Sequence, residues 1–107
     1  MSQQIHVFSA TVSDADGHPY RATAHGEARG DGTWIGWIEF VPVPSGGVLR
    51  RTPRETTQPN LKALRYWALG LEVVYLEGAL ARAISAATRS GRGTRRTAPE
   101  AEPPSGG

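Results

Sequence analysis

The sequence contains no cysteine. Disulfide bridges, thiolate zinc sites and cysteine nucleophiles are therefore excluded, and the composition suits a reducing compartment. No apolar stretch approaches the roughly 18 residues that span a bilayer. The first residues also lack the basic segment and apolar run of a signal peptide. We therefore expect a cytoplasmic protein with no membrane partner.

Motifs of the common enzyme classes are missing as well: there is no phosphate loop with its lysine, no His-Glu-x-x-His pair and no serine elbow. Asp14, Asp16 and Gly17 resemble the opening of a calcium loop, but the positions that require glycine and glutamate hold Pro19 and His25. We expect an ordinary β-turn there. His6 and His25 lack a ligand-spaced neighbour and His18 lies in a turn, so the sequence predicts no metal, no cofactor and no catalytic residue.

Charge is balanced over most of the chain. Residues 1–88 carry eight arginine or lysine residues and eight aspartate or glutamate residues. The net charge of +2 comes from residues 89–107, where four arginines outnumber two glutamates. That segment has no aromatic or branched aliphatic residue, so burial cannot offset the entropy of ordering it. We predict one domain over residues 1–88 and a disordered tail over residues 89–107.

Strand-like segments separated by turn residues fill the first half of the chain. They are residues 4–13, 20–29, 33–41 and 48–52. The third segment alternates, with Trp34, Ile38 and Phe40 on one side and Trp37 and Glu39 on the other. The second has a face of small residues. We predict an antiparallel meander of three or four strands.

Helical periodicity begins near residue 58, where Thr57 can cap a helix and Pro59 fits its first turn. Two apolar stripes follow: Leu61, Leu64, Trp67, Ala68 and Leu71, then Leu69, Val73, Leu76, Leu80 and Ala83 or Ile84. Gly70 either ends the first helix in a left-handed conformation or kinks one continuous helix. The sheet covers one stripe, and the first helix or a second protomer covers the other. The predicted fold is α+β, with a C-terminal helix or helix pair covering one face of the sheet.

The densest polar cluster comes just before the predicted helix. Arg50, Arg51 and Arg54 precede Thr57 and a helix N-terminus, which attracts anions. One interpretation is a phosphate or carboxylate site. The other is a solvated loop in which Thr57 caps the helix.

Trp37 is the second candidate for contact with a partner. It lies on the face of its strand opposite Trp34, so it either meets another chain or lies beneath a loop of its own. An exposed tryptophan on a sheet can stack on bases. It can equally enter a dimer interface, where tryptophan is enriched.

Four segments resemble a group of short, uncharacterised bacterial proteins: Trp-Ile-Gly-Trp-Ile-Glu-Phe (34–40), Arg-Glu-Thr-Thr-Gln-Pro-Asn (54–60), Tyr-Trp-Ala-Leu-Gly-Leu (66–71) and Val-Tyr-Leu-Glu-Gly-Ala-Leu (74–80). The resemblance covers about residues 34–82. It implies no activity, cofactor or catalytic residue. Relatives in that group often begin the second helix with Ser or Thr followed by Pro, where this chain has Glu72 and Val73.

No sequence motif indicates a catalytic function, so the features that remain to be explained are the apolar surfaces and the tail. We expect a non-enzymatic protein-interaction module that forms a two-fold homodimer. The alternative is single-stranded nucleic-acid binding on the sheet face. The order of elements is similar to that of the Pur-alpha and Whirly families, which dimerise and bind nucleic acid on sheet surfaces. A small enzyme using Glu39, His25 or Glu55 is a third hypothesis.

Overall fold

In the computed structural model, which describes residues 2–43 and 47–96, an antiparallel sheet is followed by two helices. The elements are β1 (Ser2–Ser13), β2 (Pro19–Ala28), β3 (Trp34–Pro42), β4 (Arg50–Arg51), β5 (Thr56–Gln58), α1 (Leu61–Leu69) and α2 (Val73–Arg96). The strand order is β1-β2-β3-β4, and β5 also pairs with β3. The predicted α+β class, the meander and the C-terminal helix pair are confirmed.

The two long hairpins close on the turns that the sequence indicated. Between β1 and β2, Asp14 Oδ1 accepts hydrogen bonds from the backbone N–H groups of Asp16 and His18, at 3.0 and 2.9 Å. Gly17 in this turn has a φ of 84°, which a side chain would strain. Between β2 and β3, Gly32 has a φ of 90°.

The segment before α1 is a strand rather than the start of a helix. Thr57 lies in β5 opposite Ile35 of β3, so the prediction that Thr57 caps the helix was wrong. The cap is Asn60, whose side chain accepts a hydrogen bond from Ala63 N–H at 2.8 Å. β-branched residues fit a sheet edge, and pairing with β3 satisfies their backbone groups.

The chain breaks at Gly70, as one of the two alternatives predicted, and α1 and α2 are separate helices. The predicted left-handed conformation was wrong, because Gly70 has a φ of −86° and a ψ of −5°. The N–H groups of Gly70 and Leu71 donate to the carbonyls of Trp67 and Ala68, each at 3.2 Å. A tight last turn therefore ends α1 without a positive φ.

Both helices pack on the same face of the sheet. Leu64 of α1 lies directly over Gly26 of β2 and Gly36 of β3. α2 crosses from β1 to β4 and buries Leu76 and Leu80. The second apolar stripe therefore meets the sheet, where the sequence interpretation had assigned it to the first helix or a second protomer.

α2 continues to Arg96, beyond the predicted domain end at residue 88. Once a helix is nucleated, each further residue adds a hydrogen bond, so its end need not coincide with the end of the core. The rest of the predicted tail, residues 97–107, lies outside the described residues. In the part of the chain that the structure describes, neither helix combines the length and apolar content needed to cross a membrane.

We expect Gly26→Ala to destabilise the fold. A Cβ at residue 26 would lie 2.4 Å from Leu64 Cδ2, so α1 or its leucine must move. Overpacking of this kind costs about 1–3 kcal/mol. Urea unfolding followed by circular dichroism measures the loss. Gly30→Ala is the matched control, because nothing lies within 4 Å of its Cβ position, and an equal loss there would contradict the packing argument.

Candidate functional site

The structure separates the four residues predicted to hold an anion. Arg50 and Arg51 lie next to each other in β4, opposite Phe40 and Glu39, and therefore point to opposite faces of the sheet. Thr57 lies in β5 and Arg54 in the loop before it. The α1 N-terminus is occupied by the side chain of Asn60, so the four do not converge on it.

Trp37 lies in a polar cluster on the sheet face that carries no helix. It is only 2% exposed. The Arg51 guanidinium carbon lies 4.3 Å from the centre of its ring, and the His25 ring stacks beside it at 6.2 Å with an interplanar angle of 13°. Cation–π attraction stabilises the arginine in this position. Trp37 is thus covered by its own chain and offers no open ring to a base or to a second protomer.

Glu39 holds the same cluster together. Trp37 Nε1 donates a hydrogen bond to Glu39 Oε2 at 3.2 Å, and His25 Nε2 lies 3.4 Å from Glu39 Oε1. Strand register explains the grouping, because His25 pairs with Trp37 and Glu39 pairs with Arg51. The sequence predicts the alternation within each strand, but it does not predict the register that brings these side chains together. We interpret the cluster as the polar cover of the sheet.

A second cluster joins the β4–β5 loop to α2. The Tyr75 hydroxyl donates to Glu55 Oε1, which also accepts from Arg82 at 2.6 Å. The Glu55 side chain is 9% exposed. Burial of the phenol and its hydrogen bond to the Glu55 carboxylate raise the pKa of Tyr75 to about 12.

Beside this cluster lies a groove of about 520 Å³, which Pro53, Arg54, Glu55, Ala81, Arg82, Ser85 and Ala86 line. Arg54, one of the predicted contact residues, therefore shares a groove with Arg82. No sequence pattern indicates this pairing, because 27 residues separate Glu55 from the arginine that binds it.

Asp14, Asp16 and His18 of the first hairpin have side chains of the types that bind metal ions, and their potential ligand atoms lie within 4.8 Å of one another. The Asp14 side chain already accepts hydrogen bonds from backbone N–H groups of the turn. The backbone N–H of His18 is the main hydrogen-bond donor that lowers the pKa of Asp14. The residues that looked like a calcium loop thus build the predicted β-turn.

The outer edge of β1 is another candidate binding surface. Among the described strands β1 ends the sheet, so its outer backbone groups have no strand partner. Its 12 residues include no proline, lysine, arginine, aspartate or glutamate. Two shifts of register, between Gln4 and His6 and between Val7 and Thr11, divide the strand into shorter regular stretches.

Exposed apolar side chains adjoin this edge where α1 meets α2. We call Tyr66, Leu69, Val73 and Val74 the Leu69 corner. Tyr66 is 81% exposed, Leu69 65% and Val74 80%. Leu69 and Val73 line one groove with Ser9 and Ala10 of β1. The edge and the corner therefore form one continuous surface.

Charges flank the Leu69 corner on two sides. Lys62 and Arg65 share the α1 surface beside Leu69, and Glu72 lies beside it on the side of β1. All three side chains are exposed. The apolar centre of the corner therefore has a basic side and an acidic side. This distribution of charge arises because the turn between α1 and α2 brings the basic residues of α1 and Glu72 to the same corner.

Comparisons of the chain with protein-family models, curated proteins and solved structures found no match. The resemblance of residues 34–82 to short bacterial proteins stays a prediction.

We expect Tyr75→Phe to remove a late step from the alkaline titration of tyrosine absorbance at about 295 nm. The folded chain holds the Tyr75 proton to about pH 12, whereas an unfolded chain loses it near pH 10. The stability contributed by this hydroxyl is therefore fully present below pH 10 and is lost as pH rises towards 12. Tyr66→Phe, outside the cluster, is the control and leaves that step in place. A late step that survives Tyr75→Phe would refute the assignment.

Proposed function

We propose that this protein is a non-enzymatic interaction module that acts through the β1 edge and the Leu69 corner, and that its first partner is a second copy of the chain. The observation that carries the proposal is a 12-residue edge strand without charge or proline, bordered by exposed apolar side chains. Edge strands that do not pair with another chain usually carry charges, proline or β-bulges that prevent pairing. β1 carries neither charge nor proline, and its two register shifts shorten the regular stretches that are open to pairing.

The charge distribution favours a second copy over an unrelated chain. In a two-fold contact each surface meets itself turned by half a rotation, so its opposite sides come together. With the axis near Leu69, Glu72 of one protomer meets Arg65 of the other, and the two Leu69 corners bury each other. Antiparallel pairing of the β1 edges would continue the sheet from one protomer into the next.

The proposal moves the dimer contact away from the residues that the sequence suggested. Trp37, Leu76 and Leu80 are all almost fully buried within one chain, so none of them is available as a contact. The Leu69 corner lies at the solvent-exposed end of the stripe to which Leu76 and Leu80 belong. The proposal also places the protein in the cytoplasm, because a chain without cysteine suits a reducing compartment.

Light scattering of the full chain tests the dimer. We expect a mass of twice 11.5 kDa at micromolar concentration. Leu69→Glu should raise the dissociation constant tenfold or more, because it places a charge at the apolar centre. Val48→Glu is the matched control, because this exposed valine precedes β4 and lies outside the proposed surface. A monomeric full chain, or equal weakening by Val48→Glu, would overturn the proposal.

A charge exchange tests the two-fold geometry itself. Glu72→Arg should weaken the dimer, since it places like charges opposite each other, and Glu72→Arg combined with Arg65→Glu should restore it. Both positions are exposed, so circular dichroism should show an unchanged fold. Failure of the double variant to recover the dimer would reject this arrangement, even if the chain still dimerises.

A further inference from the structure

A groove lies between β1 and the start of α2, next to the Leu69 corner. Its volume is about 330 Å³, at the lower end of the range of about 300–1,000 Å³ that small-molecule pockets occupy. Phe8, Leu71 and Leu76 give it an apolar wall, and all three pack in or against the core. The groove is therefore preformed, and its size suits one large side chain better than a bulky ligand.

Polar atoms lie in the same groove. His6, Ser9 and Glu72 line it, and among the described strands the outer backbone groups of β1 have no strand partner. A side chain that satisfies both the apolar wall and these polar atoms needs an apolar body and a polar tip. Tyrosine has both, because its ring is apolar and its hydroxyl forms hydrogen bonds.

Tyr66 is an exposed side chain of this kind. It is 81% exposed, more than any other large hydrophobic side chain among the described residues. Its own chain therefore leaves most of the ring in water, and association that covers the ring would be favourable. Tyrosine is also enriched among the residues that contribute most of the binding energy of protein interfaces.

Leu69 lies between Tyr66 and the groove. It lines the groove together with β1, and it lines the α1 surface together with Arg65 and Tyr66. A two-fold rotation about an axis near Leu69 therefore brings the α1 surface of one protomer over the groove of the other. The contact occurs twice in the dimer, because the rotation relates the two protomers equally.

We propose that Tyr66 of each protomer enters the groove of the other protomer and is the main anchor of the dimer. This inference rests on the proposed function, and it names the side chain and the groove that hold the dimer together. Charge favours this placement, because Arg65 precedes Tyr66 in α1 and Glu72 lines the groove. Seating Tyr66 brings the arginine of one protomer to the glutamate of the other, and such complementary charges fix the register of an interface.

Light scattering of the full chain over a concentration series measures the dissociation constant of each variant. Tyr66→Ala should raise it at least about a hundredfold, or about tenfold for each of the two anchors lost. Tyr66→Phe is the matched control, since it keeps the ring and should lose much less. Tyr66→Ala that dimerises as the unaltered chain does would overturn the inference.

Ala10→Trp tests the groove itself. Ala10 is exposed and lines the groove, so an indole there fills the space that Tyr66 needs and should weaken the dimer by a similar factor. Thr11→Trp is the matched control, because Thr11 is exposed and lies opposite Arg21 on the helix-free face. It should dimerise as the unaltered chain does, and circular dichroism should show the same fold for both variants. Equal weakening by Thr11→Trp would overturn the inference.

A mixture of Tyr66→Ala and Ala10→Trp chains distinguishes this inference from the proposed dimer. The first keeps an open groove and the second keeps the tyrosine, so their heterodimer regains one anchor while each homodimer has none. The heterodimer should have a dissociation constant about tenfold below that of either homodimer. At a concentration where each variant alone is monomeric, the equimolar mixture should therefore have a higher mean mass.

A mixture no heavier than its components, together with a dimeric unaltered chain, would overturn this inference and leave the proposed dimer in place. A monomeric unaltered chain would overturn both.

Discussion

The close contact of Leu64 with Gly26 and Gly36 determines how the rest of the molecule is arranged. Two adjacent strands present no side chain at this point, and the leucine of α1 fills the space that their Cβ atoms would occupy. α1 lies close to the sheet, and only a short turn at Gly70 separates it from α2. α2 therefore packs on the same face. The contact of Leu64 with the two glycines thus places both helices in one layer, and the other face of the sheet carries no helix.

The helix-free face is covered by polar side chains from its own strands. Arg51 lies over Trp37, His25 stacks beside it, and Glu39 receives the indole hydrogen bond. This arrangement buries a large aromatic ring under groups that remain in contact with water at their polar ends. The tryptophan of this face is therefore covered within one chain, and the proposed dimer surface lies elsewhere.

The proposed dimer surface lies where α2 begins. Near Val73 the helix starts beside the uncharged β1 edge and the exposed Leu69 corner, where burial of apolar area drives association. Arg65 and Glu72 give this corner a basic side and an acidic side. Residues 1–88 carry no net charge, so composition alone does not reveal this local separation of charge.

The sequence by itself determined the order of strands and helices, because period-two and helical patterns are local and the turn residues between them are distinctive. It also excluded thiol chemistry and indicated a break or a kink at Gly70, and only the structure decided for two separate helices. It could not place Thr57, because β-branched residues suit both a cap and an edge strand and only pairing with Ile35 decided between them. Tertiary structure alone brought Glu55 to Arg82, covered Trp37 and joined Leu69 to the β1 edge. These contacts depend on strand register and helix placement, which are set by packing between residues far apart in the chain.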